Sequence, residues 1–139
     1  MKNIMYRKSI FYYLLIFFPF IVSCSSDGSD KGNNMSELYK GSFVSVAHQT
    51  IGSVSINKEK TILSFTNFMT DNGPNLDIYL VENIENVTDN YLDLGNLQGI
   101  NGNYSYSLPN NIDYSVYKYV VVWCTDFSVN FGYATLIEL

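Results

Sequence analysis

The sequence has little of what builds helices, metal centres or nucleic-acid surfaces. Only Ala47 and Ala134 are alanine among 139 residues, and alanine is the strongest helix former. One histidine, His48, and two cysteines, Cys24 and Cys124, are too few nitrogen and sulfur ligands for a self-contained structural zinc site. Eight Lys and Arg stand against thirteen Asp and Glu, a formal net charge of -5. That balance argues against nucleic acid, whose phosphates are met by clustered Lys and Arg. Catalytic signatures are missing as well. There is no Gly-x-Ser-x-Gly, no His-Glu-x-x-His, no phosphate loop and no Cys-x-x-Cys-His for c-type haem.

What the chain does have is aromatic and β-branched. Twelve Tyr and nine Phe occur, and the apolar share is 47%. This is enough for a core, and the residue types favour strands.

The two ends of the chain differ. Lys2, Arg7 and Lys8 make a positive start with no acid, and Ile10 to Val22 is free of charge. A run of 13 residues fits a signal-peptide core better than a membrane span, which needs about 20. The run ends in Ile21-Val22-Ser23-Cys24, similar to a bacterial lipoprotein box, with Ile21 where Leu is more usual. Residues 1–23 are therefore expected to be a signal peptide and Cys24 a lipid-attachment site. Residues 24–36, rich in Ser, Asp, Gly and Asn, read as a flexible polar tether and resemble the surface-export signal of some outer-membrane lipoproteins. The expected location is the cell envelope, as an outer-membrane lipoprotein, with the tether read either as a surface-export signal or as a plain spacer. Beyond residue 23, five Lys and Arg face all thirteen acids, so membrane contact should come from acyl chains alone.

From 37 to 139 the pattern predicts one all-β domain. Short runs rich in Val, Ile, Phe and Tyr alternate with Gly, Asn and Asp clusters. The expected strands are Gly41–Ala47, Gly52–Ile56, Thr61–Asn67, Leu76–Val81, Tyr91–Leu94, Asn103–Leu108, Lys118–Cys124 and Phe131–Ile137. Asn57 to Lys60 reads as a hairpin loop. Asp71–Asn75 and Gln98–Asn103 read as turns with Asn-Gly pairs suited to positive φ. In Leu76–Val81, alternation sends Leu76, Ile78 and Leu80 inward and Asp77, Tyr79 and Val81 outward. Val120-Val121-Val122-Trp123 is apolar on both parities, the mark of a central strand buried on two faces. About eight antiparallel strands suit a β-sandwich or a small barrel, and periodicity serves both.

Several residues could carry chemistry. A lipidated Cys24 cannot form a disulfide, which leaves Cys124 as a lone exported thiol, open to oxidation if exposed. By its position after Val-Val-Val-Trp it reads more readily as a small buried hydrophobe. His48 could favour a nearby thiolate, although a lone histidine is usually structural or solvated. Trp123 reads as core, with an electron path or ligand face as the alternative. Asp71, Asn75, Asp77 and Glu82 match four places of a calcium loop, but Gly73 and Leu76 break it, so these read as solvated turn residues. Non-covalent haem would need an axial ligand such as His48, Cys124, a Met or a Tyr. The residues specify no cofactor. Three glycosylation sequons, beginning at Asn34, Asn86 and Asn103, are read as chance in a bacterial lipoprotein.

Taken in order, Gly41-Ser-Phe43, His48, Gly52, Phe65, Phe68, Gly73-Pro74, Leu76, Tyr79-Leu80 and Leu94-Gly95 form the first part of a recognisable pattern. Asn103-Tyr104, Leu108-Pro109, Val122-Trp123-Cys124, Phe127, Phe131-Gly132, Ala134 and Leu136 complete it. This resembles the DM13 domain, an extracellular all-β module, over nearly all of 38–139. Gly-Pro-x-Leu and Trp-Cys-x-x-Phe are its specific parts. The resemblance implies electron transfer or redox chemistry, with a cysteine as the active residue; by position that is Cys124, with His48 at a family histidine. Asn75 stands where Asp is commoner after Gly-Pro. The family often accompanies DOMON-type domains that bind haem or sugars. None is present here, so the resemblance implies a separate redox protein as partner. The competing reading is a non-enzymatic adhesion module whose tyrosines meet a glycan or a protein. On either reading a stand-alone enzyme is disfavoured.

Overall fold

The computed structural model describes residues 36–139. The expected signal peptide, Cys24 and all of the tether but Ser36 lie outside the described residues.

Nine strands and no helix form among the described residues. They are β1 (Glu37–Ser45), β2 (Thr50–Asn57), β3 (Ile62–Thr70), β4 (Leu76–Val81), β5 (Tyr91–Asn96), β6 (Asn101–Ser107), β7 (Tyr119–Cys124), β8 (Val129–Thr135) and β9 (Ile137–Glu138). Every pairing is antiparallel, in the order β5-β4-β7-β8-β1-β2-β3-β6, with β9 added against β1. The expected all-β architecture of about eight strands is what forms. β1 joins the two halves. Its first part pairs with β2, and Phe43–Ser45 pair with β8. The sheet curls about this shared strand as a half-barrel and encloses one main core of Phe43, Val54, Ile56, Leu63, Phe65, Phe68 and residues from β4, β6 and β7.

β3 runs past its expected end at Asn67 because of a bulge. Register shifts lie between Ile51 and Ser53 on β2 and between Phe65 and Phe68 on β3. Asn67 and Gly52 both take positive φ there, 50° and 108°. A Cβ on Gly52 would sit 2.7 Å from Asn67 O and Phe68 Cα, so only glycine fits. The extra residue resets the alternation, which lets Phe65 and Phe68, three apart, both enter the core and meet edge to face at 5.2 Å.

The hairpin at 57–60 forms as expected. Asn57 Oδ1 accepts from the backbone N–H of Thr61 and Ile62, and Lys60 takes φ 57°. In the turn at 71–75 the positive φ falls on Asn75, 44°, rather than on the Asn72-Gly73 pair. Gly102, the second expected glycine, has φ 132° but already belongs to β6.

β4 and β7 are adjacent and buried on both faces. Leu76, Ile78 and Leu80 with Val120, Val122 and Cys124 face the main core. Tyr79, Val81, Val121 and Trp123 form a second cluster on the outer face, covered by Val87 and Ile84 of the 82–90 segment. The doubly apolar reading of β7 therefore holds, and β4 shares it.

Candidate functional site

The sequence candidates lie at one end of β7. Cys124 is the last residue of that strand, opposite Leu76 on β4 and Val129 on β8. Its parity sends Sγ into the main core, where it is fully buried and free of any disulfide. Sγ–H donates to Pro74 O at 3.0 Å. The turn between β3 and β4 thus lies directly over the thiol. On the other side of that turn, Thr125 N and Oγ1 both donate to Asn75 O at 3.1 Å, and Asn75 Nδ2 donates to Asp126 Oδ1.

His48 sits in the β1–β2 connection, not against the thiol. Val46 N and His48 N donate to Phe131 O, which straps the connection onto β8. The His48 ring lies on the Phe131 ring at 3.9 Å between centroids. Nδ1 is 3.3 Å from Asp71 Oδ2, which also accepts from Gln49 N at 3.1 Å, and Asp71 N donates to Gln49 O. The His48 and Asp71 side chains are 41% and 49% exposed. Beneath them, a Cβ on Gly73 would be 2.6 Å from Phe131 Cζ, so the turn is seated on that ring. A continuous path of contacts therefore runs from His48 through Phe131 and Gly73-Pro74 to Cys124. The two sequence candidates occupy opposite sides of one turn: His48 pins it from outside and Cys124 lies under it.

Trp123 faces the opposite way, onto the outer face. Its ring stacks on Tyr79 at 6.4 Å, and Tyr79 stacks on Tyr91 at 4.4 Å. Tyr79 and Trp123 are nearly covered, at 5% and 9%, while Tyr91 is 40% exposed. Two carboxylates share this face. Asp77 pairs across the sheet with Trp123, and Asp93 with Tyr79. Burial raises the Asp77 carboxyl above its usual range, Asp93 adds to that, and a hydrogen bond from Asn96 Nδ2 opposes it. Burial, aided by Asp93, pushes the Tyr79 phenol up to about 12. Sequence reading sent Tyr79 outward but did not pair it with Trp123. The usable signal was matching parity, Asp77-x-Tyr79-x-Val81 against Tyr119-x-Val121-x-Trp123.

The four acidic and amide positions of the broken calcium pattern part company. Asp71 is held by His48 and Gln49, Asn75 by Asp126, Asp77 by Asn96 and Glu82 by Asn90. Among the described residues no three His, Cys, Asp or Glu side chains gather in a way that could hold a metal ion.

A curled antiparallel β module with an aromatic row on one face of a strand and a sealed thiol on the other is the class that fold and site define. The chain belongs to the DM13 family: the model described as Electron transfer DM13 matches residues 42–136, more than half of the sequence. No curated protein and no solved structure matches the chain.

Proposed function

We propose that the protein is a lipid-anchored electron-transfer module of the cell envelope, with Cys124 as a redox thiol kept in reserve beneath the Gly73-Pro74 turn. The observation that carries the reading is the 3.0 Å contact from Sγ to Pro74 O, which closes the one thiol of the described domain with a single short turn. Four of the five residues 71–75 are solvent exposed, so opening this turn uncovers little core. Once open, the thiol loses its proton to solvent, and the thiolate attacks a partner disulfide. A mixed disulfide forms, and the partner's other sulfur leaves as thiolate. His48 acts through Asp71 as a positioning residue that keeps the turn shut.

Alkylation of the native full-length protein tests this. Labelling of Cys124 is expected to be slow but measurable, and at least about tenfold faster in Asp71→Ala, which releases the turn without touching the core. No labelling until global unfolding, in both proteins, would remove Cys124 from the function. Intact mass tests the anchor: acyl mass on Cys24 and loss of residues 1–23 are expected, and an unmodified Cys24 would end the lipoprotein reading.

A binding role is supported by a different observation. A polar cavity of about 480 Å³, bounded by Glu82, Asn83, Asn86, Asp89, Lys118 and Tyr119, offers donors, acceptors and one ring edge to a hydroxyl-rich ligand. Retention of a glycan by the wild type and its loss in Asn86→Ala would favour that reading over the redox one. Retention of no glycan would leave it without support.

A further inference from the structure

We propose that Tyr91, Tyr79 and Trp123 form a one-electron relay across the outer face, from the protein surface at Tyr91 to the strand that carries Cys124. The inference rests on the electron-transfer reading, though not on the thiol. Three observations meet here. The rings are stacked in sequence, at 4.4 and 6.4 Å, with interplanar angles of 22° and 26°. The row has one exposed end, since Tyr91 is 40% open while Tyr79 and Trp123 are covered. A carboxylate shares the face, because Asp93 lies opposite Tyr79 in the register, with Oδ1 accepting from Gly95 N.

Near-parallel rings with centroids 4.4 and 6.4 Å apart are close enough for an electron to pass between them without either ring leaving its place. That suits a module whose thiol is covered. A one-electron oxidant takes an electron from Trp123, whose indole releases its proton to water. Tyr79 then gives an electron to the indolyl radical and its phenolic proton to the Asp93 carboxylate, while the indolyl nitrogen recovers a proton from water. The Tyr79 and Tyr91 rings are stacked at 4.4 Å, so Tyr91 O–H passes an electron and a proton to the Tyr79 phenoxyl. A one-electron reductant outside the protein refills Tyr91. Water returns the proton that Tyr91 needs, and Asp93 releases its own. The high phenol pKa of Tyr79 keeps its proton in place until it is oxidised, so the electron and the proton leave together.

The full chain contains one tryptophan, which makes the test selective. Azidyl radicals, generated by pulse radiolysis of the full-length protein in detergent, oxidise indole in preference to phenol. The indolyl absorption of Trp123 is expected to convert to phenoxyl absorption at a rate independent of protein concentration. Tyr79→Phe keeps the stack and removes the oxidisable hydroxyl, so conversion should slow at least tenfold while the circular dichroism and melting midpoint stay near wild type. Tyr91→Phe should leave the first conversion intact and slow the quenching of the phenoxyl radical by ascorbate severalfold. Conversion in Tyr79→Phe at the wild-type rate, or conversion that depends on protein concentration, overturns the relay. A parallel voltammetric measurement with small one-electron mediators separates the two readings. If mediators exchange electrons with the wild type while Tyr79→Phe converts normally, the relay is wrong and the electron-transfer reading stands. If no mediator exchanges electrons at all, the electron-transfer reading falls and takes the relay with it.

Discussion

The two faces of β7 are built from neighbouring residues and behave as different materials. On the inner face Val120, Val122 and Cys124 join a large apolar core that extends to Phe65 and Phe68 on β3. On the outer face Val121 and Trp123 join a small cluster in which tyrosines and two carboxylates share space with Val81 and Val87. Both faces are covered, but the outer one sets two carboxylates in register with the stacked tyrosine and tryptophan rings. Burial alone does not make a core inert. The chemistry follows from which polar groups the register sets beside the buried rings.

Truncation on the inner face should give the largest effect. Phe65→Ala removes a fully buried ring packed against Phe43, Phe68 and Tyr106. It is expected to cost about 3–5 kcal/mol in denaturant unfolding. A loss below about 1 kcal/mol would mean that the main core is not centred there.

Cys124→Ser probes the same face at the site itself. The hydroxyl can still donate to Pro74 O, but a polar group replaces sulfur in an apolar pocket. The expected loss is about 1–3 kcal/mol, smaller than that of Phe65→Ala. An unchanged unfolding midpoint would show that this end of the core admits water.

High pH compares the faces through one residue type. The phenols of Tyr79, on the outer face, and Tyr114, on the inner, are both pushed up to about 12 by burial. Unfolded tyrosines lose their protons near 10. Between about pH 10 and 12 the unfolded chain therefore binds fewer protons than the folded one, and stability falls as pH rises. Tyr79→Phe and Tyr114→Phe should each flatten part of that fall in unfolding midpoint. Flattening by only one of them would locate the buried phenol on one face.

Asp77→Asn should give the smallest effect. The Asp77 carboxyl is raised, so the folded state binds the extra proton and stability falls as pH climbs from the ordinary carboxylate range through the raised value. Asn can still accept from Asn96 Nδ2 and carries no charge to desolvate. A slightly higher melting midpoint is expected at pH 7, with the difference vanishing in acid. A lower midpoint at pH 7 would mean that the carboxylate is held by more than Asn96.

Much of this was legible beforehand, for identifiable reasons. Leu76–Val81 was located to the residue because Pro74 and Glu82 bound a clean alternation. β7 declared its two buried faces because four apolar residues in a row occupy both parities. The extension of β3 to Thr70 was not legible, since a bulge at Gly52 and Asn67 interrupts the alternation on which the reading depends. Cys124 and His48 could be singled out by scarcity, but no spacing rule spans the 75 residues between them. Their relation through Phe131 and Gly73 arises from the curl of the sheet. In the sequence Asp71 belongs only to a broken calcium pattern. Its partner is a histidine 23 residues away, reached only when β1 to β3 are folded.

The sequence by itself determined the all-β class, the family, the double burial of β7 and the rarity of its thiol. These follow from composition, from alternation of period two and from residues read in order, all of which are local. Tertiary structure alone decided that the thiol is closed by a carbonyl, that His48 holds the closing turn from outside, and that three aromatic rings stack in a row. Each of these depends on which strands become neighbours and in what register, and a one-residue slip in pairing would have sent Cys124 and the three rings to the opposite face.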